Sequence, residues 1–173
     1  LNNGFQVIGS KIYSYSNNLI GELSYVDTSA WFKLTLPSLS KFSKYPILNS
    51  GLICLRKEFI TKSLPLPQVL TEDAYLTIKY TELSSRVGIL DSIAVKSAPK
   101  DIKHIIRQRL RWFRGYYQCA LETLRSNIKP LTKLRLLILY LTPLAMTSVF
   151  LSFASLITLL PILSVITNKP IYM

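Results

Sequence analysis

The sequence predicts an α/β domain that runs into a membrane-spanning helix. Three observations carry this: short β-branched and aromatic runs bounded by turn residues, apolar residues at helical spacing between them, and a charge-free stretch over residues 136–168. As helix that stretch would reach roughly 50 Å, well beyond a hydrocarbon core of about 30 Å. One span over about 136–159 is therefore expected, with Pro161 kinking or ending it and Pro143 tolerated near its start. Residues 1–130 then form the soluble part, and residues 131–173 a basic juxtamembrane segment plus the span.

In chain order, residues 5–15 alternate partially and suggest one or two short strands around Gly9-Ser10. Over residues 18–34, Leu19, Ile20, Leu23, Val26, Ala30, Trp31 and Leu34 recur at helical spacing, which predicts an amphipathic helix packed on the core. The Pro and Ser content of residues 37–46 reads as a loop. Asn49-Ser50-Gly51 then turns into a short buried strand at 52–55, where Cys54 is a small buried hydrophobe. Pro65 and Pro67 keep the chain extended up to a helix over 71–83, which packs through Ala74, Tyr75, Ile78 and Leu83. A turn at Gly88 leads to a strand over 89–95. Pro99 marks the start of a long helix over about 100–126, with Ile102, Ile105, Ile106, Leu110, Phe113 and Tyr117 as its core stripe.

Charge sorts the partners. Formal net charge is +12, and residues 100–135 carry ten Lys or Arg against Asp101 and Glu122, so +8 of it lies in the strip leading to the apolar run. Such a strip is attracted to anionic lipid, above all at Arg125, Lys129, Lys133 and Arg135. Cations crowd the N-terminal flank of the apolar run while Lys169 alone follows it, which places the soluble part on the cytoplasmic side of a membrane. Nucleic acid is the rival partner for a basic strip, but the Asn that would follow Trp112-Phe113 in an adenine-reading helix is absent, and no nucleic-acid partner is expected. Two cysteines, Cys54 and Cys119, make neither a disulfide framework nor a zinc site. His104 is the only histidine, which leaves no material for His-based triads, and a solvated helix position is expected for it.

The chemistry-bearing residues fall in two clusters. Thr71-Glu72-Asp73 places two carboxylates in the first turn of a helix, where negative charge is favoured. Thirty-five residues on, Arg107-Gln108-Arg109-Leu110-Arg111-Trp112 puts Gln108, Arg111 and Trp112 on one helical face, because residues three and four apart are neighbours. An amide, a planar guanidinium and an indole together suit a ligand with both an anionic group and a stacking surface. Gly115 continues that face and permits close approach.

An acidic pair, then Gln-x-x-Arg-Trp, then a membrane segment resembles the membrane glycosyltransferases of family 2, the relatives of cellulose, chitin and hyaluronan synthases and of ceramide glucosyltransferase. The resemblance implies the C-terminal portion of a GT-A catalytic domain followed by a transmembrane helix. It implies inverting transfer of a sugar from a nucleotide-diphosphate donor to a carbohydrate or lipid acceptor at the cytoplasmic membrane face. Asp73 would be the catalytic base; Glu72, Gln108, Arg109, Arg111 and Trp112 would bind substrate. In this family a small-residue stretch lies near the acceptor sugar, a place taken here by Ser50 and Gly51, which serve equally well as a plain loop-to-strand turn. The family's divalent metal, Mg or Mn, is held by an Asp-x-Asp motif, and Asp27, Asp73, Asp91 and Asp101 nowhere make that spacing. The chain is thus expected to be a fragment, or half of a pair, whose donor-binding N-terminal half lies elsewhere and without which it binds donor poorly. A non-catalytic membrane-anchored interaction module with a basic lipid-binding surface is the alternative.

Overall fold

A strand buried along most of its length, β1 (Val7–Tyr15), is the axis of the fold. The computed structural model describes residues 4–48 and 52–167. β1 pairs antiparallel with β2 (Ile53–Leu55) and parallel with β3 (Val87–Ser97), giving the order β2-β1-β3. The β1–β3 register shifts between Ser10 and Lys11, where Leu90 and Ile93 are the successive partners, so Asp91 and Ser92 bulge out of the ladder. Lys11 reaches across that bulge to the Asp91 carboxylate. The molecule is thus mixed α/β, with a small mixed sheet and helices providing most of the rest.

The helix α1 (Leu19–Ala30) starts where the Asn18 side chain accepts from the Gly21 amide at 2.7 Å, a conventional N-cap. Its buried face is not the predicted one. Gly21, Ser24 and Thr28 pack inward, while Leu19, Leu23, Val26 and Leu34 point outward. The reason is close approach to the segment around β1: a Cβ on Gly21 would meet the Ser16 carbonyl at 2.1 Å, and the Ser14 amide donates to the Thr28 hydroxyl at 3.2 Å. Small residues permit this contact, and the larger apolar ones are left on the far side.

A π-helical turn, Trp31–Thr35, then turns Phe32 into the core and passes into α2 (Leu36–Ser43). Of the stretch expected as a loop over 37–46, residues 37–43 are therefore helical and 44–46 are not. Pro37 comes just after the π-helical turn, and Lys44 ends the helix in the left-handed region at φ 65°. A short helix, α3 (Lys57–Ser63), follows β2 and inserts Phe59. Cys54 is exposed, because the edge strand β2 has its outer face open.

The central helix α4 (Glu72–Glu82) buries Ala74, Tyr75, Leu76, Thr77, Ile78 and Tyr80, whereas Leu83 just beyond it is largely exposed. One core joins Ile12, Phe32, Ala74, Ile78, Tyr116, Cys119 and Tyr140; a second, around Val7, Leu48, Phe59, Leu76 and Tyr80, lies on the other side of α4.

The long helix α5 (Ile102–Arg125) begins at Asp101, whose carboxylate accepts from the His104 amide at 2.8 Å. His104 is half-exposed, as expected, with Nδ1 2.8 Å from the same carboxylate. The face of α5 that packs consists of Gly115, Tyr116, Cys119, Ala120 and Thr123. Of the predicted core stripe, Ile102, Ile106, Leu110 and Tyr117 are exposed.

The last helix, α6 (Pro130–Thr167), continues through both Pro143 and Pro161. Each proline removes one ladder bond without ending the helix. Leu136, Leu139 and Tyr140 are fully buried, so the first turns of the expected span belong to the domain core. Many side chains in the apolar second half of α6 fall outside the description, and among the described residues no helix is long and apolar enough to cross a membrane.

Candidate active site

Asp73 is positioned by two helices, α5 and α6, that lock the start of α4. Thr71 occupies the N-cap position but makes no side-chain cap bond. Its hydroxyl instead faces the Cys119 sulfur at 3.7 Å. The Leu70 amide donates to Gln118 Oε1 at 2.9 Å. Gly115 lies directly against Thr71, where a Cβ would stand 2.4 Å from both Thr71 Cγ2 and Oγ1. From α6, the Tyr140 hydroxyl donates to the Ala74 carbonyl at 2.9 Å. Held this way, the Asp73 carboxylate accepts from the Ala74 amide at 2.9 Å, at a helix N-terminus that favours its negative charge.

The N-terminal half of α5 supplies the cations and the indole. The Arg109 guanidinium lies over the Trp112 ring, 4.5 Å from its centroid, and pairs with the Asp27 carboxylate of α1. Lys96, at the end of β3, lies 5.8 Å from the same centroid. Two cations therefore hold Trp112, each within the distance at which the ring quadrupole attracts. Arg109 ties α1 to α5, a role that the sequence motif alone does not reveal.

Asp73, Lys96, Arg109, Arg111 and Trp112 all line one cleft of about 790 Å³. Its remaining wall is mainly apolar and aromatic, including Trp31 and Phe32 from the π-helical turn and Leu110 and Phe113 from α5. Burial, then the neighbouring Arg111, push the Lys96 ammonium below its ordinary range; Asp73 pulls it up and Arg109 pushes it down further. Burial raises the Tyr116 phenol, reinforced by the Asp73 charge. The Cys119 thiol is pushed up to about 12 by burial, against the Thr71 hydrogen bond, so it is inert at neutral pH.

The two sequence motifs are thus brought together, but not every predicted residue joins them. Gln108 lines an adjoining pocket of about 230 Å³, which shares Asp27, Thr28, Ile105, Arg109 and Trp112 with the cleft. Glu72 is exposed in the first turn of α4 and does not line the cleft. Ser50 and Gly51 lie outside the described residues. Sequence reasoning missed Lys96, Asp27 and Trp31. Lys96 sits near the end of β3 with no motif around it, Asp27 lies in α1, whose buried face differs from the predicted one, and Trp31 opens the π-helical turn that follows.

One carboxylate beside Lys96, Arg109 and Arg111 can accept a proton next to a ligand whose negative charge the cations offset. The same surroundings do not suit a divalent cation. Asp27 is engaged by Arg109, and among the described residues no cluster of three or more His, Cys, Asp or Glu could hold a metal. No protein-family model matches the chain, and no curated protein matches it.

Proposed function

We propose that this chain is the acceptor-side portion of a family 2 membrane glycosyltransferase with a GT-A catalytic domain. It would transfer a sugar from a nucleotide-diphosphate donor to a carbohydrate or lipid acceptor at the cytoplasmic membrane face. The observation that carries the reading is the convergence of Asp73 with Arg109, Arg111 and Trp112 in one cleft, although 35 or more residues separate them in sequence. In the proposed reaction, the Asp73 carboxylate takes the proton of the acceptor hydroxyl as its oxygen attacks the sugar. Arg111, with Lys96, offsets charge growing on the departing diphosphate, in a site where fixed cations need no reorganisation. Trp112, oriented by Arg109, walls the acceptor side.

The donor-binding half, with the Asp-x-Asp motif and its Mg or Mn, would be supplied by other sequence. This chain's residues do not fit the metal, and no step assigned to them runs through it. In this reading a membrane span would have to follow Pro143, because Leu136, Leu139 and Tyr140 belong to the core.

The test restores the donor-binding half and measures transfer of labelled sugar in membranes with equal amounts of each variant. Asp73→Asn keeps the size and the bond from the Ala74 amide but cannot take a proton. It is expected to lower turnover by about 10²- to 10⁴-fold with donor affinity largely kept. Retention of more than about a tenth of turnover would remove Asp73 as the base.

A further inference from the structure

Ile102, Ile106, Leu110, Tyr117, Leu121 and Leu124 recur along α5 every three, four or seven residues and are all exposed, Ile102 to 66% and Leu124 to 55%. On a 3.6-residue helix these positions fall within one stripe about 100° wide. Lys103, Arg107 and Arg114 follow immediately on one side of that stripe, and the packed face lies on the other. An outward apolar stripe flanked by cations is the surface that a helix lying in the headgroup region of an anionic bilayer presents. Ile106 and Leu110 belong to this stripe and at the same time line the cleft that contains Asp73, as does Pro143 of α6. Ile106 and Leu110 therefore link the outward stripe to the cleft that Asp73 lines.

Resting on the glycosyltransferase reading, we propose that the acceptor is a membrane lipid bearing a free hydroxyl, which enters the cleft sideways from the bilayer along Ile106 and Leu110. The lipid chains lie on the apolar wall and the hydroxyl reaches Asp73. The hydroxyl oxygen forms the new bond to the anomeric carbon, whose bond to the diphosphate oxygen breaks with the electron pair leaving on the nucleoside diphosphate. The hydroxyl proton passes to the Asp73 carboxylate. Between its two arginines the α5 wall presents Ile105, Ile106, Leu110 and Phe113, a surface suited to lipid chains.

The two tryptophans of the chain, Trp31 and Trp112, both line the cleft, so intrinsic fluorescence reports on it directly. The full chain is reconstituted in phosphatidylcholine vesicles containing a small fraction of diacylglycerol with brominated chains, or the same fraction of brominated phosphatidylcholine. Saturable quenching by the brominated diacylglycerol, relieved by unlabelled diacylglycerol and not by a soluble hexose oligosaccharide, is expected. Ile106→Gln with Leu110→Gln should weaken it about tenfold at unchanged helical circular dichroism, since both side chains are half-exposed. Equal quenching by both brominated lipids would show mere immersion and overturn the proposal, as would competition by the oligosaccharide. No donor or turnover enters this measurement, so its failure leaves the role of Asp73 to the separate transfer assay.

Discussion

Gly115→Ala tests whether the two motifs are coupled through direct contact. A Cβ at this position would stand 2.4 Å from Thr71 Cγ2 and Oγ1 and 2.8 Å from Thr71 Cβ, all inside van der Waals contact. Thr71 is 6% exposed and is held by Cys119, so it cannot swing away cheaply. Overpacking of this kind costs about 1–3 kcal/mol. Alanine recovers up to about 1 kcal/mol over glycine inside a helix. The net loss should be about 1–2 kcal/mol, or roughly 5- to 30-fold in the folding equilibrium. Urea titration of the full chain in detergent micelles, followed by Trp31 and Trp112 fluorescence, measures it. Thr71→Ala removes two of the three close atoms, so the double variant should be more stable than the sum of the singles by about 1 kcal/mol. If Gly115→Ala is stabilising, or if the two substitutions are additive, α4 and α5 do not meet as described and Asp73 is positioned by something else.

The remaining predictions need no restored enzyme. A thiol reagent at neutral pH should modify Cys54 rapidly and Cys119 only on unfolding, since Cys119 is fully buried with its thiol pushed up to about 12; equal rates in the folded chain would contradict the packing of α4 on α5. Competitive acylation against pH should show Lys96 titrating below the ordinary lysine value of 10.5, because burial and Arg111 disfavour its charged form. Asp73 raises that pKa, so Asp73→Asn should move the midpoint further down, and inorganic pyrophosphate in the cleft should move it up. An upward shift in Asp73→Asn would place the carboxylate away from Lys96.

Periodicity found where the helices are more reliably than which way they face. The starts of α4 and α5 carry local signals, the carboxylates after Thr71 and the proline at Pro99. Orientation failed twice for one physical reason. In α1 and α5 the buried face consists of Gly, Ser, Thr, Cys and Ala with few large side chains, because these helices approach their neighbours closely. An apolar-moment argument assumes that the largest hydrophobes go inward, and it reverses when close packing selects small residues and the large ones serve another surface. The helix α2 was hidden by the reading of Pro37 as a breaker, a role that depends on position within the helix.

The site was legible in its two halves but not in what joins them. Spacing alone puts Gln108, Arg111 and Trp112 on one helical face, whereas the base role expected of Asp73 comes only from the resemblance to family 2 glycosyltransferases. Lys96 and Asp27 could not be named from the sequence, because each acquires its role only through a contact across the fold: Lys96 with Trp112, and Asp27 with Arg109. That second contact changes the meaning of the motif. Arg109 spends its charge on Asp27 and the indole face, which leaves Arg111 and Lys96 as the cations bearing on a ligand near Asp73. Position along a motif therefore does not decide which arginine meets substrate. The arginine held by a carboxylate orients the ring, and in the proposed reaction the arginine left to the cleft would carry the anion.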